Sequence, residues 1–276
     1  MSELAAVPPG VDATKLSPAR VYDYFLGGTN NFLVDRQAAE FLRTSIPDLV
    51  DALWANRGFH GRAAVWMARH GIRQFLDIGS GLPTQNNTHE SVQKIDADAR
   101  VVYVDNDPMV AAHAGALLDA AGTTAVILAD LRDPDALLNH PDLLRLIDLA
   151  EPVGVLMTDV MHFVPDDDDP WGLVARYMAA TVPGSYLGLS HGTTEKMPPR
   201  QSQAARDTAD VWPRSRAQVA RFFKGLELLA PYDGAEPAVT YAGLWGAEDP
   251  EAADSDGSRF FYCGVARRIG TAPRRG

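Results

Sequence analysis

Gln74-Phe75-Leu76-Asp77-Ile78-Gly79-Ser80-Gly81 is an apolar run that ends in a glycine pair. One crossover later comes a second apolar run, Val101-Val102-Tyr103-Val104-Asp105, which ends in a carboxylate. Two such runs joined by a helical stretch predict neighbouring strands of a parallel sheet, and such sheets bind ligands at the carboxyl ends of their strands. Glycine lets the backbone approach a ligand closely, and a carboxylate accepts two hydrogen bonds from the vicinal hydroxyls of a ribose. The turn Gly79, Ser80, Gly81 is therefore expected to aim backbone N–H groups at an anion, and Asp105 to hold a sugar. A dinucleotide fingerprint asks for a third glycine where Thr84 stands, and Pro83 removes an N–H. Both departures disfavour a pyrophosphate cradle and leave room for a smaller anion such as an amino-acid carboxylate.

The pattern continues on both sides. Strands are expected near 73–78, 100–105, 124–129, 153–159 and 185–190, with helices near 88–97, 108–121, 134–147 (broken at Pro141) and 170–182. A helix near 215–224, a strand near 226–231 and a final strand near 260–266 follow. No convincing helix joins these last two strands, so they should pair antiparallel. Between them, 248–257 is acidic and rich in small residues, and reads as a loose loop. The segment before residue 72 carries helical spacing only. Ser17-Pro18 starts one helix, 35–43 is a second, Pro47 opens a short third, and a fourth runs from about Arg57 to His70. The chain thus divides into an N-terminal helical extension or lid over 1–71 and a nucleotide-binding core over 72–276. The fold class is α/β: a Rossmann-like, mostly parallel sheet of seven strands with a C-terminal antiparallel hairpin.

Composition narrows the function classes. No run approaches the ~20 apolar residues of a membrane helix, and Met1-Ser2-Glu3-Leu4 does not begin like a secretory signal, so a cytoplasmic protein without a membrane partner is expected. Cys263 is the single cysteine, which excludes an intramolecular disulfide and a thiolate zinc cluster. A formal net charge of −11 argues against nucleic acid as a partner. Asp166 to Asp169 lack the spacing of a metal site and read as a solvated loop capping a helix at Pro170, so no metal is expected.

Other strand ends carry further candidates. Asp107 before Pro108 and Asp133 before Pro134 are in place to cap helices, which leaves Asp105 and Asp130 for ligand. Asp130 could accept from the exocyclic amine of an adenine. Asp159-Val160-Met161-His162 follows the fourth strand, where a substrate would meet a cofactor. His162 is the candidate general base, since imidazole titrates near neutral pH; a lone histidine beside aromatic residues is more often a packed, hydrogen-bonded structural group.

These segments, with Ser17 to Gly28 beside them and Tyr22 to Gly28 and Asp77 to Thr84 specific in combination, resemble the class I S-adenosylmethionine-dependent methyltransferases. Within that class they are similar to an actinobacterial S-adenosyl methyltransferase family over roughly residues 14–268. The resemblance implies S-adenosyl-L-methionine as cofactor, with Gly79, Ser80 and Gly81 at its methionyl part and Asp105 on its ribose. It places Asn106, Asp130 and Leu131 at the adenine, and Asp159 and Val160 along the cofactor's border. The N-terminal helices would then offer Tyr22, Asn31 and Arg57, with Tyr24 and Asn30 nearby, to a small-molecule methyl acceptor, alongside His162. Two other functions compete: a nicotinamide-dependent oxidoreductase, weakened by Thr84 and the terminal hairpin, and a non-catalytic module that senses S-adenosylmethionine. Neither the acceptor nor the oligomeric state is fixed by these residues.

Overall fold

The computed structural model describes residues 7–83, 87–113, 122–195, 203 and 210–270. Five parallel strands form the first part of the sheet: β1 (Gln74–Ile78), β2 (Arg100–Asp105), β3 (Thr124–Leu128), β4 (Gly154–Thr158) and β5 (Tyr186–Gly192). Their spatial order is β3-β2-β1-β4-β5, so the direction of winding reverses between β1 and β4. A crevice opens at such a reversal, beyond the carboxyl ends of the strands. The sheet continues antiparallel through β8 (Phe261–Arg267), which pairs with β5 on one side and β6 (Glu227–Leu228) on the other. The terminal antiparallel hairpin is thus present. An eighth strand, β7 (Thr240–Tyr241), also pairs with β8; at two residues it is too short to leave a period in the sequence.

Alternation along the strands decides what meets on each face. Leu76 and Ile78 of β1 point to one face, with Val102, Val104, Val155 and Met157. That face is covered by α6 (Pro134–Leu138), α7 (Pro141–Leu146), α8 (Pro170–Ala180) and α9 (Arg216–Ala220). Phe75 packs on the other face with Val101, Tyr103 and Leu156, beneath Phe59, Ala63, Ala64 and Met67. Asp77, two residues beyond Phe75, points the same way as Phe75. α4 (Thr88–Val92) and α5 (Pro108–Ala112) follow β1 and β2. Thr84, the expected continuation of α5 over 114–121 and residues 196–202 lie outside the described residues.

The N-terminal helices are α1 (Pro18–Phe25), α2 (Leu33–Ser45) and α3 (Leu49–Arg69). The expected short third segment and the fourth helix are one continuous helix of 21 residues. Gly58 and Gly61 lower its intrinsic propensity by about 1 kcal/mol each. Burial of Phe59, Ala63 and Met67, each fully inaccessible, outweighs that loss. One apolar cluster runs from α3 into the sheet, across residue 71. The stretch 248–257, expected to be loose, is folded. Asp249 caps α10 (Pro250–Ala253), Arg259 pairs with Asp254 at 2.6 Å, and Gly257 and the turn after it pack on the start of α3.

α1 is anchored to the sheet by a buried ion cluster. Arg20 Nε donates to Asp35 Oδ2 at 2.8 Å, and Arg20 Nη1 lies 3.7 Å from Asp107 Oδ2. Ser17 caps α1 through its own hydroxyl oxygen and donates its O–H to Asp107. Asp107 in turn caps α5, as its place before Pro108 predicts. Among the described residues no helix is long and apolar enough to cross a membrane.

Candidate active site

A cavity of about 750 Å³ lies over the ends of β1, β2 and β4, roofed by α1 and α3. That size suits a small-molecule site. Its wall contains Gly79, Ser80, Gly81, Asp105, Asn106, Asp130, Leu131, Asp159 and Val160, together with Tyr22 and Arg57. Asn31 and His162 are not part of the wall. Asn31 instead donates to Asp23 Oδ2 at 2.9 Å and so holds a carboxylate that does line the cavity. Asn30 does the same through its backbone N–H, and Tyr24 turns outward to Glu40.

The glycine turn differs from the sequence expectation in one respect. Its N–H groups are already engaged: Gly79 and Ser80 donate to Val104 O at 2.8 and 3.1 Å, and Gly81 donates to Asp105 Oδ2 at 2.8 Å. The amides that were to hold an anion instead knit β1 to β2. Close approach remains the reason for glycine at 79. Its φ is +74°, and a Cβ there would stand 2.3 Å from Val160 Cγ2. Gly81, at φ +65°, faces open space.

Asp105 accepts one backbone N–H on each oxygen, from Gly81 and from Asp107 (2.9 Å). A carboxylate has about four acceptor positions, so about two remain for a diol. Burial raises its pKa, partly offset by these hydrogen bonds. Asp130 is held by Arg132, whose Nε lies 3.0 Å from both carboxylate oxygens, and this pairing lowers its pKa. That partner leaves no signal in the local pattern of residues.

The α3 face of the sheet supplies residues that the sequence reading passed over. Asp77 Oδ2 accepts from Thr88 Oγ1 at 2.6 Å, and Thr88 Oγ1 lies 2.7 Å from His60 Nε2. His60 Nδ1 lies 2.9 Å from Thr158 Oγ1. With the Thr88 hydroxyl given to Asp77, His60 must carry its proton on Nε2 and accept from Thr158 on Nδ1. Burial holds His60 down to about 3, so it is neutral, and pushes Asp77 up to about 6. A second chain of contacts runs from α1. Tyr22 donates to Leu53 O and lies 3.4 Å from Asn56 Nδ2; Asn56 Oδ1 accepts from Ser190 Oγ at 2.5 Å; Ser190 Oγ accepts from Asp159 N at 3.0 Å. Asn56 and His60, four residues apart on a helix otherwise buried by apolar side chains, were the available signal.

His162 sits behind the wall. Its ring packs against Phe163 (4.2 Å between centroids) and His191 (5.6 Å), and its Nδ1 lies 3.5 Å from Asp159 Oδ1. Burial holds it down to about 3. It therefore reaches the cavity only through Asp159.

A family model for S-adenosyl methyltransferases matches residues 5–269. This chain belongs to that family. The methyltransferase is also similar to two solved structures. One is a candidate methyltransferase from Thermobifida fusca YX: 38% identity, TM-score 0.88, covering 96% of this chain and 100% of the other. The second is a DUF574 family protein from Streptomyces avermitilis MA-4680: 38% identity, TM-score 0.85, covering 93% and 99%. No relative of curated function matches the sequence. The enzyme's cofactor is S-adenosylmethionine, and the nicotinamide alternative falls with the family assignment. The cavity fits that cofactor on its own chemistry: Asp105 keeps acceptor positions for a diol, and Asp77 offers a carboxylate to an ammonium group.

Proposed function

We propose that the enzyme methylates a small molecule bound in the same cavity as the donor. The carrying observation is that one continuous cavity of about 750 Å³ is lined both by the sugar-type acceptor Asp105 and by the α1 and α3 side chains Tyr22 and Arg57. Asp105 would hold the ribose and Asn106 and Leu131 the adenine, while Gly79 to Gly81 would lie along the methionyl end by close backbone approach rather than through their engaged N–H groups. Asp130 would meet the adenine amine with the acceptor positions that Arg132 leaves. The backbone at Asp159 and Val160 would border the donor. Tyr22 and Arg57 would face the acceptor, and Asn31 would act by holding Asp23.

Bound S-adenosylmethionine supplies a methyl group already activated on sulfur. The protein's task is to align a nucleophile and exclude water, and alignment can lower a barrier by up to ~7–11 kcal/mol. α1 supports this task because Arg20 and Ser17 lock it over the end of β2.

The test uses S-adenosylmethionine labelled in its methyl group, incubated with the enzyme and a cell extract. Label in the small-molecule fraction is the expected result. Label in the protein or nucleic-acid fraction alone would overturn the proposal.

A further inference from the structure

The wall at the end of β4 carries a group that these donor contacts leave unused. Asp159 Oδ1 is buried without a hydrogen-bond partner, and so is Nδ1 of His162, 3.5 Å away. A buried polar atom left unpaired costs ~1–3 kcal/mol, and more if charged. Asp159 is also held at φ +58°, a conformation that L residues other than Asn and Asp seldom adopt. Ser190 fixes it there by accepting its N–H on both Oγ and O. Two costs borne by one residue of a ligand cavity point to a role in the loaded state.

We propose that Asp159 is a proton-exchanging counter-charge: it releases a proton when the sulfonium donor enters, and regains one from the methyl acceptor during transfer. The proposal rests on the donor lying in this cavity. Without the donor Asp159 is neutral, because burial raises its pKa well above the usual range and no neighbouring charge opposes it. His162 supplies no cation, being neutral itself. The groups facing the site from other elements do not supply one either. Tyr22 of α1 is a phenol, His60 of α3 and His191 of β5 are neutral, and Arg214 is committed to Asp166 at 2.7 Å. Arg57 of α3 acts on Tyr22, His60 and Asp77 of β1, whereas Asp159 responds to burial alone.

A sulfonium brings a fixed positive charge, and an opposite charge nearby lowers a carboxyl pKa by ~1–3 units. The thioether left after transfer is neutral and has no such effect. Asp159 therefore ionises with S-adenosylmethionine and stays protonated with S-adenosylhomocysteine. During transfer the acceptor's X–CH₃ bond forms as the C–S bond breaks. Sulfur keeps the electron pair, and the X–H proton passes to the Asp159 carboxylate. The cycle ends with a neutral carboxyl beside a neutral thioether. The proton lost overall is the one expelled when the donor bound. The acceptor class that fits is a nucleophile with a proton to give, N–H or O–H.

Calorimetric titration of the enzyme with each of the two ligands, in HEPES and in Tris at neutral pH, counts the protons exchanged. S-Adenosylmethionine should release about one proton more than S-adenosylhomocysteine, and between the lowered pKa of the loaded enzyme and the raised pKa of the free one its relative affinity should rise about tenfold per pH unit. Asp159→Asn keeps the shape, removes the titration and should abolish the extra proton. Equal proton counts for the two ligands, or undiminished release in Asp159→Asn, would overturn the proposal. The comparison of ligands in the unaltered enzyme needs no variant. If that enzyme binds neither ligand, the donor does not lie in the cavity, and both readings fall together. Binding without the extra proton sinks this one alone.

Discussion

The two ends of the cavity are built on opposite terms. At the β1–β2 end the turn amides and both oxygens of Asp105 have protein partners: the amides go to Val104 and Asp105, and Asp105 holds Gly81 and Asp107. At the β4 end Asp159 and His162 bury polar atoms with none. A satisfied wall keeps its shape whether or not ligand is bound, so it is suited to recognition. An unsatisfied wall changes its state when a charge arrives, so it is suited to chemistry.

That contrast can be attacked most severely where the satisfied end is anchored. Arg20→Ala would leave Asp35 buried without its cation, and should cost about 3–5 kcal/mol in denaturant unfolding. A loss under 1 kcal/mol would mean that the cluster does not hold α1 in place. Gly79→Ala should cost about 2–5 kcal/mol, from a left-handed backbone and overlap with Val160. Gly81→Ala is its control. With open space around it only the backbone contribution remains, roughly 1–2 kcal/mol. Equal effects at the two positions would remove Val160 from the account.

Asp105→Ala tests recognition itself. It should raise the Kd for S-adenosylmethionine roughly 10- to 150-fold, the loss of charge-assisted hydrogen bonds. An unchanged Kd would take Asp105 out of the site. At neutral pH the least visible effect lies between the two ends, at His60. Its folded pKa, about 3, is below the unfolded value of 6.5. Its contribution to stability is therefore full above pH 6.5 and is lost as the pH falls toward 3. His60→Gln should make the acid-side decline shallower by about 1.4 kcal/mol per pH unit. A parallel decline in both proteins would show that His60 is not buried neutral.

Much of the satisfied end was legible in the sequence, because strand ends, caps and glycine turns are local signals. Asp107 and Asp133 cap the helices that their following prolines announce, and Asp105 ends β2 as expected. The direction of the turn amides was not legible. It depends on how closely β2 runs beside β1, which is a tertiary distance. The continuity of α3 was hidden for a related reason: what joins residues 49–56 to the helix expected from Arg57 is the burial of Ala52, Leu53 and Asn56 against the rest of the fold, which local spacing does not show. Locally Asp77 is one more residue of a buried strand. Its role emerges from alternation together with a helix that places His60 above it. His162 carried the right chemistry for the β4 end but stands one residue layer too deep, with Asp159 between it and the cavity.

The ion cluster at Arg20 bears on how such enzymes can be recombined. Residues 7–45 contain Ser17, Arg20 and Asp35, but their fourth partner, Asp107, belongs to the far side of β2. A chimera that takes its N-terminal segment from another protein inherits one half of a buried charge pattern and must match the other half. The segment is therefore not a detachable cassette: it can be exchanged intact only if position 107 travels with it.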